Sequence, residues 1–323
     1  MLIRQFRGST KLFLGVLILI LICTLYIEYK SRKKQTSFAM LHKQGNIKDQ
    51  YKLIIVVFSA PSNLEQREAV RGTWLSENYE DVKHLFVIGT QNMEFDEHDR
   101  LASENKAYHD LLLLPNLQDS YQTLTKKLLH TFAHIYKEYN FDYLLKCDDD
   151  SFVLVDKILK EFEKQRYEAL DKELYWGFFN GKAQVKRSGS WKETDWIFCD
   201  FYLPYALGGG YILSQNLVKF IAHNSNILRL FNSEDVSVGL WLAPLSNIER
   251  KHDVRFDTEY RSRGCSNEHI IKHKQNTEAM ITMYQTYKAS GALCVKEVKY
   301  RNSYRYNWDD PPSRCCIREP GIP

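Results

Sequence analysis

Short runs of apolar residues alternate along this chain with stretches of helical spacing. Four runs are dominated by aliphatic side chains: 52–59, 84–89, 110–115 and 142–146. Such runs are typical of strands that are buried on both faces of a parallel sheet. Residues 121–139, and a stretch after Pro61 that reaches about residue 75, have the apolar spacing of helices. The alternation predicts βαβ units and an α/β fold with a mostly parallel sheet.

A further apolar run near the N-terminus has a different character. Residues 12–27 read LFLGVLILILICTLYI, which predicts a short membrane span. No small-residue cleavage site follows it, so a retained anchor is favoured over the alternative of a cleaved signal peptide. A short span also suits the thin membranes of the early secretory pathway. We therefore expect a cytoplasmic tail at 1–11, an anchor at 12–27, a stem at 28–50 and a lumenal domain at 51–323.

The amino-acid composition indicates a globular protein and limits its possible partners. Of the 323 residues, 44% are hydrophobic and 26% are charged, which is typical of a globular protein. The net charge is only +4, so we expect no nucleic-acid partner.

Four of the 7 cysteines lie in the last 60 residues, where disulfides are expected if this part is lumenal. Their connectivity stays open. Adjacent Cys315 and Cys316 are not expected to pair with each other, because disulfides usually join separated Cα atoms. Cys147 is expected to be a small buried filler.

Three consecutive carboxylates follow the fourth predicted strand. Asp148, Asp149 and Asp150 stand at its carboxyl end, which is where open α/β sheets bind ligands. A turn at this point can aim the first and third side chains the same way, and carboxylate oxygens are the ligands that Mg²⁺ and Mn²⁺ prefer. A solvated acidic turn is the alternative, but the position after a buried strand favours a metal site.

Three other features are ambiguous when each is taken alone. Glu234 and Asp235 follow Ser233 and precede an apolar stretch, which indicates either a helix start or a general base on Asp235. The glycines at 208–210 suit an ordinary turn or a close approach of the backbone to a ligand. His273 has basic neighbours and is by itself a surface histidine.

The order of these motifs resembles the β-1,3-glycosyltransferases, an inverting family that includes β-1,3-galactosyl-, β-1,3-N-acetylglucosaminyl- and fringe transferases. The matching segments are REAVRGTW at 67–74, DSYQTLTKK at 119–127, DDD at 148–150, GGGY at 208–211 and EDV at 234–236. They lie within a span from about residue 51 to 275.

Further segments resemble the branch of this family that builds the glycosaminoglycan linkage region. They are YWGFF at 175–179, YLPYALGGGY at 202–211, FDTEYRSRGCSN at 256–267 and the chain end from Cys315-Cys316 to 323.

The resemblance implies a GT-A fold, in which a Rossmann-like nucleotide-binding half is fused to an acceptor-binding half, behind an N-terminal transmembrane anchor. It implies a single-pass type II protein of the Golgi membrane that uses UDP-galactose and Mn²⁺, with Mg²⁺ as a possible substitute. The implied acceptor is Gal-β1,4-Xyl-O-Ser on proteoglycan core proteins. The implied reaction is inverting transfer of galactose to the 3-hydroxyl of the acceptor galactose.

The resemblance also assigns roles to individual residues. Asp235 is the expected general base. The expected metal ligands are Asp150, His273 and Asp148, and the expected donor contacts are Arg71, Lys127, Asp148 and Asp149. The expected acceptor contacts are Glu234 and a set of rings that would stack on the apolar faces of sugars. These rings are Tyr175, Trp176, Phe178, Phe179, Tyr202 and Tyr205.

Two alternatives remain open at the level of sequence. One is a β-1,3-N-acetylhexosaminyltransferase of the same family, because the sequence does not display the sugar pocket. The other is a catalytically silent glycan-binding membrane protein, which the loss of the base or of metal ligands would favour. Asp235, Asp150 and His273 are all present.

Overall fold

The structure is a computed structural model that describes Thr24, Tyr26, Lys30 and the stretches 49–165 and 172–322. The chain divides into two units, Met1–Asp49 and Gln50–Pro323, and the second is described below. Of the expected anchor at 12–27, Thr24 and Tyr26 are helical and the rest lies outside the described residues. Among the residues that are described, no helix combines the length and the apolar character needed to cross a membrane.

The four predicted strands form one half of the central sheet. They are β1 (Gln50–Phe58), β2 (Val82–Gly89), β3 (Leu111–Leu114) and β4 (Asn140–Asp148). Within this group each strand is parallel to the one beside it, which confirms the prediction. Residues 53–57 of β1 have no solvent exposure, as expected for a strand that is covered on both faces.

The other half of the sheet was not predicted strand by strand. The later strands of the chain are β5 (Phe152–Val153), β6 (Glu173–Asn180), β7 (Tyr205–Ser214), β8 (Ile248–His252), β9 (Phe256–Asp257), β10 (Gly264–Cys265), β11 (Ile271–Lys272) and β12 (Val298–Lys299). The central sheet has the order β3-β2-β1-β4-β7-β6-β8. Strand β7 is antiparallel to both of its neighbours, whereas β6 and β8 are parallel, so β7 runs against the other strands of this sheet.

Helices cover the sheet and connect its strands. They are α1 (Leu64–Gly72), α2 (Phe95–Tyr108), α3 (Leu124–Glu138), α4 (Val155–Gln165), α5 (Gln215–His223), α6 (Glu234–Leu242) and α7 (Thr277–Ser290). Helices α1 and α3 confirm the two helical predictions, and α3 is preceded by a 3₁₀ turn at Tyr121–Thr123. Helix α3 buries Leu128, Phe132 and Ile135 at the spacing of one helix face.

A small second sheet matters most for the site. Its order is β5-β11-β9, and β11 pairs antiparallel with β5 so that Lys272 faces Phe152. Because β5 begins two residues after Asp150, this pairing brings residues 271–273 next to the acidic run. A contact across more than 100 residues of sequence therefore completes the end of β4.

Two disulfides lie in the last part of the described chain. Cys265 pairs with Cys294, and Cys315 pairs with Cys316. The expectation that adjacent cysteines would not pair is therefore wrong. Local packing accommodates the pair, because Gly181 has no Cβ, and a Cβ there would lie 2.7 Å from Sγ of Cys315. Cys147 is free and fully buried, as predicted.

Replacing Cys265 with serine should lower the free energy of unfolding. The Cys265–Cys294 bond closes a loop with a sequence separation of 29. Loop-closure entropy for that length gives a loss of about 3–4 kcal/mol, measurable by chemical denaturation of the domain. Cys199→Ser is the matched control, because Cys199 is free and exposed, and it should leave the midpoint unchanged. Equal stability of the two variants would contradict the prediction.

Candidate active site

The site lies where β1 and β4 end side by side. Phe58 and Asp148 are register partners, and the N–H of Asp149 donates to the carbonyl of Phe58 at 3.0 Å. The Asp149 carboxylate turns towards the loop after β1, where it accepts hydrogen bonds from Ser59 Oγ at 2.7 Å and Asn63 Nδ2 at 2.9 Å. Burial raises the pKa of Asp149, while these two donors oppose the shift. The middle aspartate therefore joins two turns of the site.

The first and third aspartates point together, as their spacing predicted. Oδ2 of Asp148 lies 3.4 Å from Nε2 of His273, and Oδ1 of Asp150 lies 3.1 Å from the same nitrogen. One ligand atom from each of these three residues falls within 4.8 Å of the others. The structure thus assembles a cluster of two carboxylates and one imidazole, of which sequence spacing supplied only the carboxylates.

The glycine run makes room for this cluster. Gly208, Gly209 and Gly210 lie within strand β7, so the expectation of an ordinary turn is wrong, and a close approach of this backbone to a ligand stays a prediction. A Cβ on Gly209 would lie 2.4 Å from Cγ of His273, a distance that atoms in proteins do not tolerate. His273 is held in place by its backbone N–H, which donates to Asp257 O at 3.0 Å.

The cluster has the properties of a divalent cation site. Oδ1 of Asp150 is buried, and because its 3.1 Å contact with Nε2 of His273 lacks hydrogen-bond geometry, no donor among the described residues forms a hydrogen bond to it. Burial of the His273 ring lowers its pKa, but the two carboxylates more than offset this effect and raise the pKa to about 9. The excess of negative charge and the mixed oxygen and nitrogen donors fit a cation such as Mn²⁺ or Mg²⁺.

The acidic pair stands at the start of α6, with Ser233 as its N-cap residue. Asp235 accepts hydrogen bonds from Ser233 Oγ at 2.6 Å, from the N–H of Val236 at 2.7 Å and from the N–H of Gly208 at 2.8 Å. Burial, and then the charge of Glu234, raise the pKa of Asp235 to about 7. The helix-start interpretation is therefore confirmed. Asp235 has a pKa suited to proton transfer near neutrality, and its role as a general base stays a prediction.

A buried lysine, which was not predicted, joins the acidic pair to the cluster of Asp148, Asp150 and His273. Nζ of Lys146 donates to Asp148 Oδ1 at 2.8 Å, to Glu234 Oε1 at 2.7 Å and to the carbonyl of Gly208 at 2.8 Å. Its position two residues before Asp148 on strand β4 places both side chains on the same face. That alternation was the available signal in the sequence.

Arg71, a predicted donor contact, lies in an ion-pair network, and its contact with a donor stays a prediction. Its Nε donates to Asp110 and its Nη2 donates to Glu104, both at 2.7 Å, so this guanidinium belongs to a buried ion-pair network. Arg67, one helical turn earlier, contacts the site turn directly, through Ser59 Oγ at 3.0 Å and Ala60 O at 2.6 Å. The i, i+4 spacing places both arginines on one face of α1, but only Arg67 lies near the helix start.

Lys127 lies at the site but is buried. Its ammonium donates to the carbonyl of Ser59 at 2.6 Å and to Asp119 at 2.5 Å, and Asp119 in turn accepts from the N–H of Gly89 at 2.6 Å. Burial lowers the pKa of Lys127 against the opposing effect of Asp119. Lys127 thereby ties the end of β1 to the end of β2, and its direct contact with a donor stays a prediction.

Four of the rings predicted to contact an acceptor are in the core instead. Tyr175, Trp176, Phe178 and Phe179 have no solvent exposure, because β6 lies between β7 and β8 and is covered on both faces. No sugar can stack on rings in that position, which corrects the prediction for these four.

The other two predicted rings, Tyr202 and Tyr205, are largely buried in a small cluster with Phe231 and Val236, beside the acidic pair. The nearby segment at 181–204 instead exposes Phe198 and Phe201, by 79% and 51%. These two rings were not singled out from the sequence.

Comparison with known proteins finds a matching family and several similar proteins. The family described as Galactosyltransferase matches residues 65–254. Mouse beta-1,3-galactosyltransferase 6 is 46% identical over 275 residues, which cover 84% of this chain and 84% of the mouse protein.

More distant relatives share part of their length with this chain. Hydroxyproline O-galactosyltransferase GALT2 of Arabidopsis thaliana is 32% identical over 72% of this chain and 34% of its own length. UDP-GalNAc:beta-1,3-N-acetylgalactosaminyltransferase 2 of Xenopus laevis is 29% identical over 61% of this chain and 39% of its own length. With the match at residues 65–254 covering more than half of its length, this chain belongs to the galactosyltransferase family.

Proposed function

We propose that this protein is an inverting β-1,3-galactosyltransferase that uses UDP-galactose and a divalent cation on a GT-A fold. The observation that carries the proposal is the meeting of Asp148, Asp150 and His273 with the acidic pair of α6 at one edge of a largely parallel sheet. The 46% identity to mouse beta-1,3-galactosyltransferase 6 supports this choice of donor sugar and linkage.

The metal cluster would serve the donor half of the reaction. Asp148, Asp150 and His273 would hold Mn²⁺, with Mg²⁺ as a substitute, and the bound cation would stabilise the negative charge that develops on the leaving UDP. Asp149, Ser59 and Asn63 fix the turn beside this position through their hydrogen bonds.

Asp235 would serve the acceptor half. A carboxylate within hydrogen-bond reach of the acceptor 3-hydroxyl takes its proton as the oxygen attacks the anomeric carbon. Attack on the face opposite the phosphate inverts the configuration, so UDP-α-galactose gives a β-linkage without a covalent enzyme intermediate. Neutral donors, from Ser233 Oγ and two backbone N–H groups, hold Asp235 in place.

The proposed acceptor and the proposed cellular compartment rest mainly on the family resemblance. The likeness to the linkage-region branch favours Gal-β1,4-Xyl-O-Ser on proteoglycan core proteins, and a single-pass type II position in the Golgi membrane with the catalytic domain in the lumen. Disulfide Cys265–Cys294 suits an oxidising lumen. The Xenopus relative makes UDP-N-acetylgalactosamine the competing donor, and a donor screen separates the two.

Removing Asp150 should abolish metal-dependent nucleotide binding. Asp150→Ala deletes one of three clustered ligands, so Mn²⁺-dependent UDP affinity measured by calorimetry should fall by roughly 10-fold or more, together with activity. Asp142→Ala is the matched control: Asp142 lies on β4, upstream of the acidic run, pairs with half-exposed Lys52, and its variant should bind UDP normally. Unchanged UDP binding by Asp150→Ala would refute the metal assignment.

Replacing Asp235 with asparagine should spare binding and impair turnover. UDP affinity should persist while kcat falls by roughly 10²–10⁴-fold, the usual scale for a lost general base. A base must be ionised, so the wild-type rate should decline as the pH falls through the Asp235 pKa of about 7. This decline at low pH should be absent from the pH–rate profile of Asp235→Asn. The control variant Asp99→Asn, at an exposed position, should show the same decline as the wild type. Near-normal turnover by Asp235→Asn would end this assignment.

The third expectation concerns the product. The domain, incubated with each UDP-sugar and Gal-β1,4-Xyl with and without Mn²⁺, should form Gal-β1,3-Gal-β1,4-Xyl from UDP-galactose alone, because a pocket that hydrogen-bonds particular hydroxyls discriminates strongly. Acceptors that end in N-acetylglucosamine should react poorly. Mass spectrometry of the products identifies which sugar is transferred. A preference for UDP-N-acetylgalactosamine would contradict the prediction and indicate an N-acetylgalactosaminyltransferase.

A further inference from the structure

Lys146 occupies an unusual position for a lysine side chain. It is 1% exposed, and its ammonium lies 4.9 Å from the centre of the Phe58 ring. Burying an ammonium group is costly unless charge and hydrogen-bond partners compensate. Three partners do so here: Asp148, Glu234 and the carbonyl of Gly208, all within 2.8 Å.

These partners belong to different parts of the site. Asp148 ends β4 and faces the metal cluster, Gly208 lies in β7, and Glu234 opens α6. One rigidly held nitrogen therefore spans the donor half and the acceptor half. Glycine at 208 permits this arrangement, because a Cβ there would lie 2.6 Å from Glu234 Oε1 and 3.3 Å from Asp235 Oδ2.

The two oxygens of Asp148 are divided between two neighbours. Oδ1 accepts from Lys146, whereas Oδ2 faces Nε2 of His273 at 3.4 Å. A carboxylate that is anchored through one oxygen presents the other in a fixed direction, and anchoring of this kind tunes ligand geometry and affinity at metal sites.

The two acids of α6 also differ in the charge of their hydrogen-bond donors. Glu234 pairs with the ammonium of Lys146, so its charge is compensated and its Oε1 is occupied. Among the residues that the structure describes, the hydrogen-bond donors to Asp235 are neutral: Ser233 Oγ and the N–H groups of Val236 and Gly208. An ion-paired carboxylate is a weak proton acceptor, whereas a carboxylate without a cationic partner accepts a proton more readily.

We propose that Lys146 is a positioning residue that fixes Asp148 for metal binding and reserves Asp235 as the base by engaging Glu234. This inference rests on the proposed function. It changes the role assigned to Glu234, which balances the charge of Lys146 rather than contacting the acceptor.

A square of variants separates this role from a contribution to folding alone. Lys146→Met leaves Glu234 buried without its cation, and such a loss is strongly destabilising. Lys146→Met combined with Glu234→Gln removes both charges, so the melting temperature should recover most of the loss. Mn²⁺-dependent UDP binding should nevertheless be weakened roughly 10–100-fold in the double variant, the usual scale for a lost anchor of a metal ligand.

Glu234→Gln alone provides the reference for the square. Because it keeps the contact between Lys146 and Asp148, it should bind UDP within about threefold of wild type, a difference under 1 kcal/mol, and its turnover should fall by much less than that of Asp235→Asn. Lys52→Met is the matched control for the substitution itself. Lys52 pairs with Asp142 at an exposed position on the same sheet, and its loss should change neither binding nor melting temperature. If Lys146→Met/Glu234→Gln does not fold, Lys146→Gln/Glu234→Gln replaces it, since an amide keeps hydrogen-bonding capacity.

The outcomes are distinguishable by calorimetry and kinetics. Weakened Mn²⁺-dependent UDP binding that follows Lys146 in both Glu234 backgrounds supports the positioning role. Binding by the folded double variant that equals binding by Glu234→Gln overturns it and leaves the proposed function intact. A loss of turnover in Glu234→Gln as large as that in Asp235→Asn also overturns it, because Glu234 would then be a base. Absence of Mn²⁺-dependent UDP binding in the wild type overturns the proposed function, and this inference with it.

Discussion

The site depends on how its negative charge is compensated. Asp148, Asp149, Asp150, Glu234 and Asp235 crowd one edge of the sheet, and like charges at short range in a protein interior repel strongly. The buried ammonium of Lys146 offsets two of these charges at once. Burial disfavours ionisation of Asp148, but Lys146, and then His273, outweigh it and hold the pKa of Asp148 below its usual range. Without this cation, the carboxylates would not keep both their charge and their positions.

The backbone of β7 packs closely against the charged side chains of the site, and this packing restricts which residues the strand can contain. Successive glycines bring the strand against side chains of the site, Gly208 beside Glu234 and Asp235, and Gly209 beside His273. Here the absence of a side chain, rather than backbone flexibility, is what the site requires. The small β5-β11-β9 sheet supplies the opposite wall, because its pairing delivers His273 to the acidic run.

Sequence patterns predicted the parallel half of the sheet correctly, but they predicted the wrong location for four aromatic residues, which lie in the core rather than at the acceptor site. The aliphatic runs gave β1 to β4 because a strand buried on both faces needs apolar residues at every position. The same reasoning applies to YWGFF at 175–179, whose uninterrupted apolar character indicates an interior strand. The expectation of sugar contacts failed there because an aromatic residue has the same appearance in a sequence whether it lies in a core or at a binding site. The ion pairs of Arg71 were not predicted for a related reason, because its partners Glu104 and Asp110 lie more than 30 residues away along the chain.

The sequence by itself determined which residue types stand at the end of β4, since strand alternation places Lys146 and Asp148 on one face and a turn aims Asp148 and Asp150 together. It also determined the family, through motifs in a fixed order. The family resemblance implied His273 as a third ligand, but only the tertiary structure brings it next to the acidic run, pairs Lys146 with Glu234 rather than with Asp235, and bonds Cys315 to Cys316. These outcomes depend on distances between atoms that lie 88 residues apart (146 and 234) or 125 residues apart (148 and 273) along the chain, or that local packing alone permits. Residue types along a sequence do not encode such distances directly.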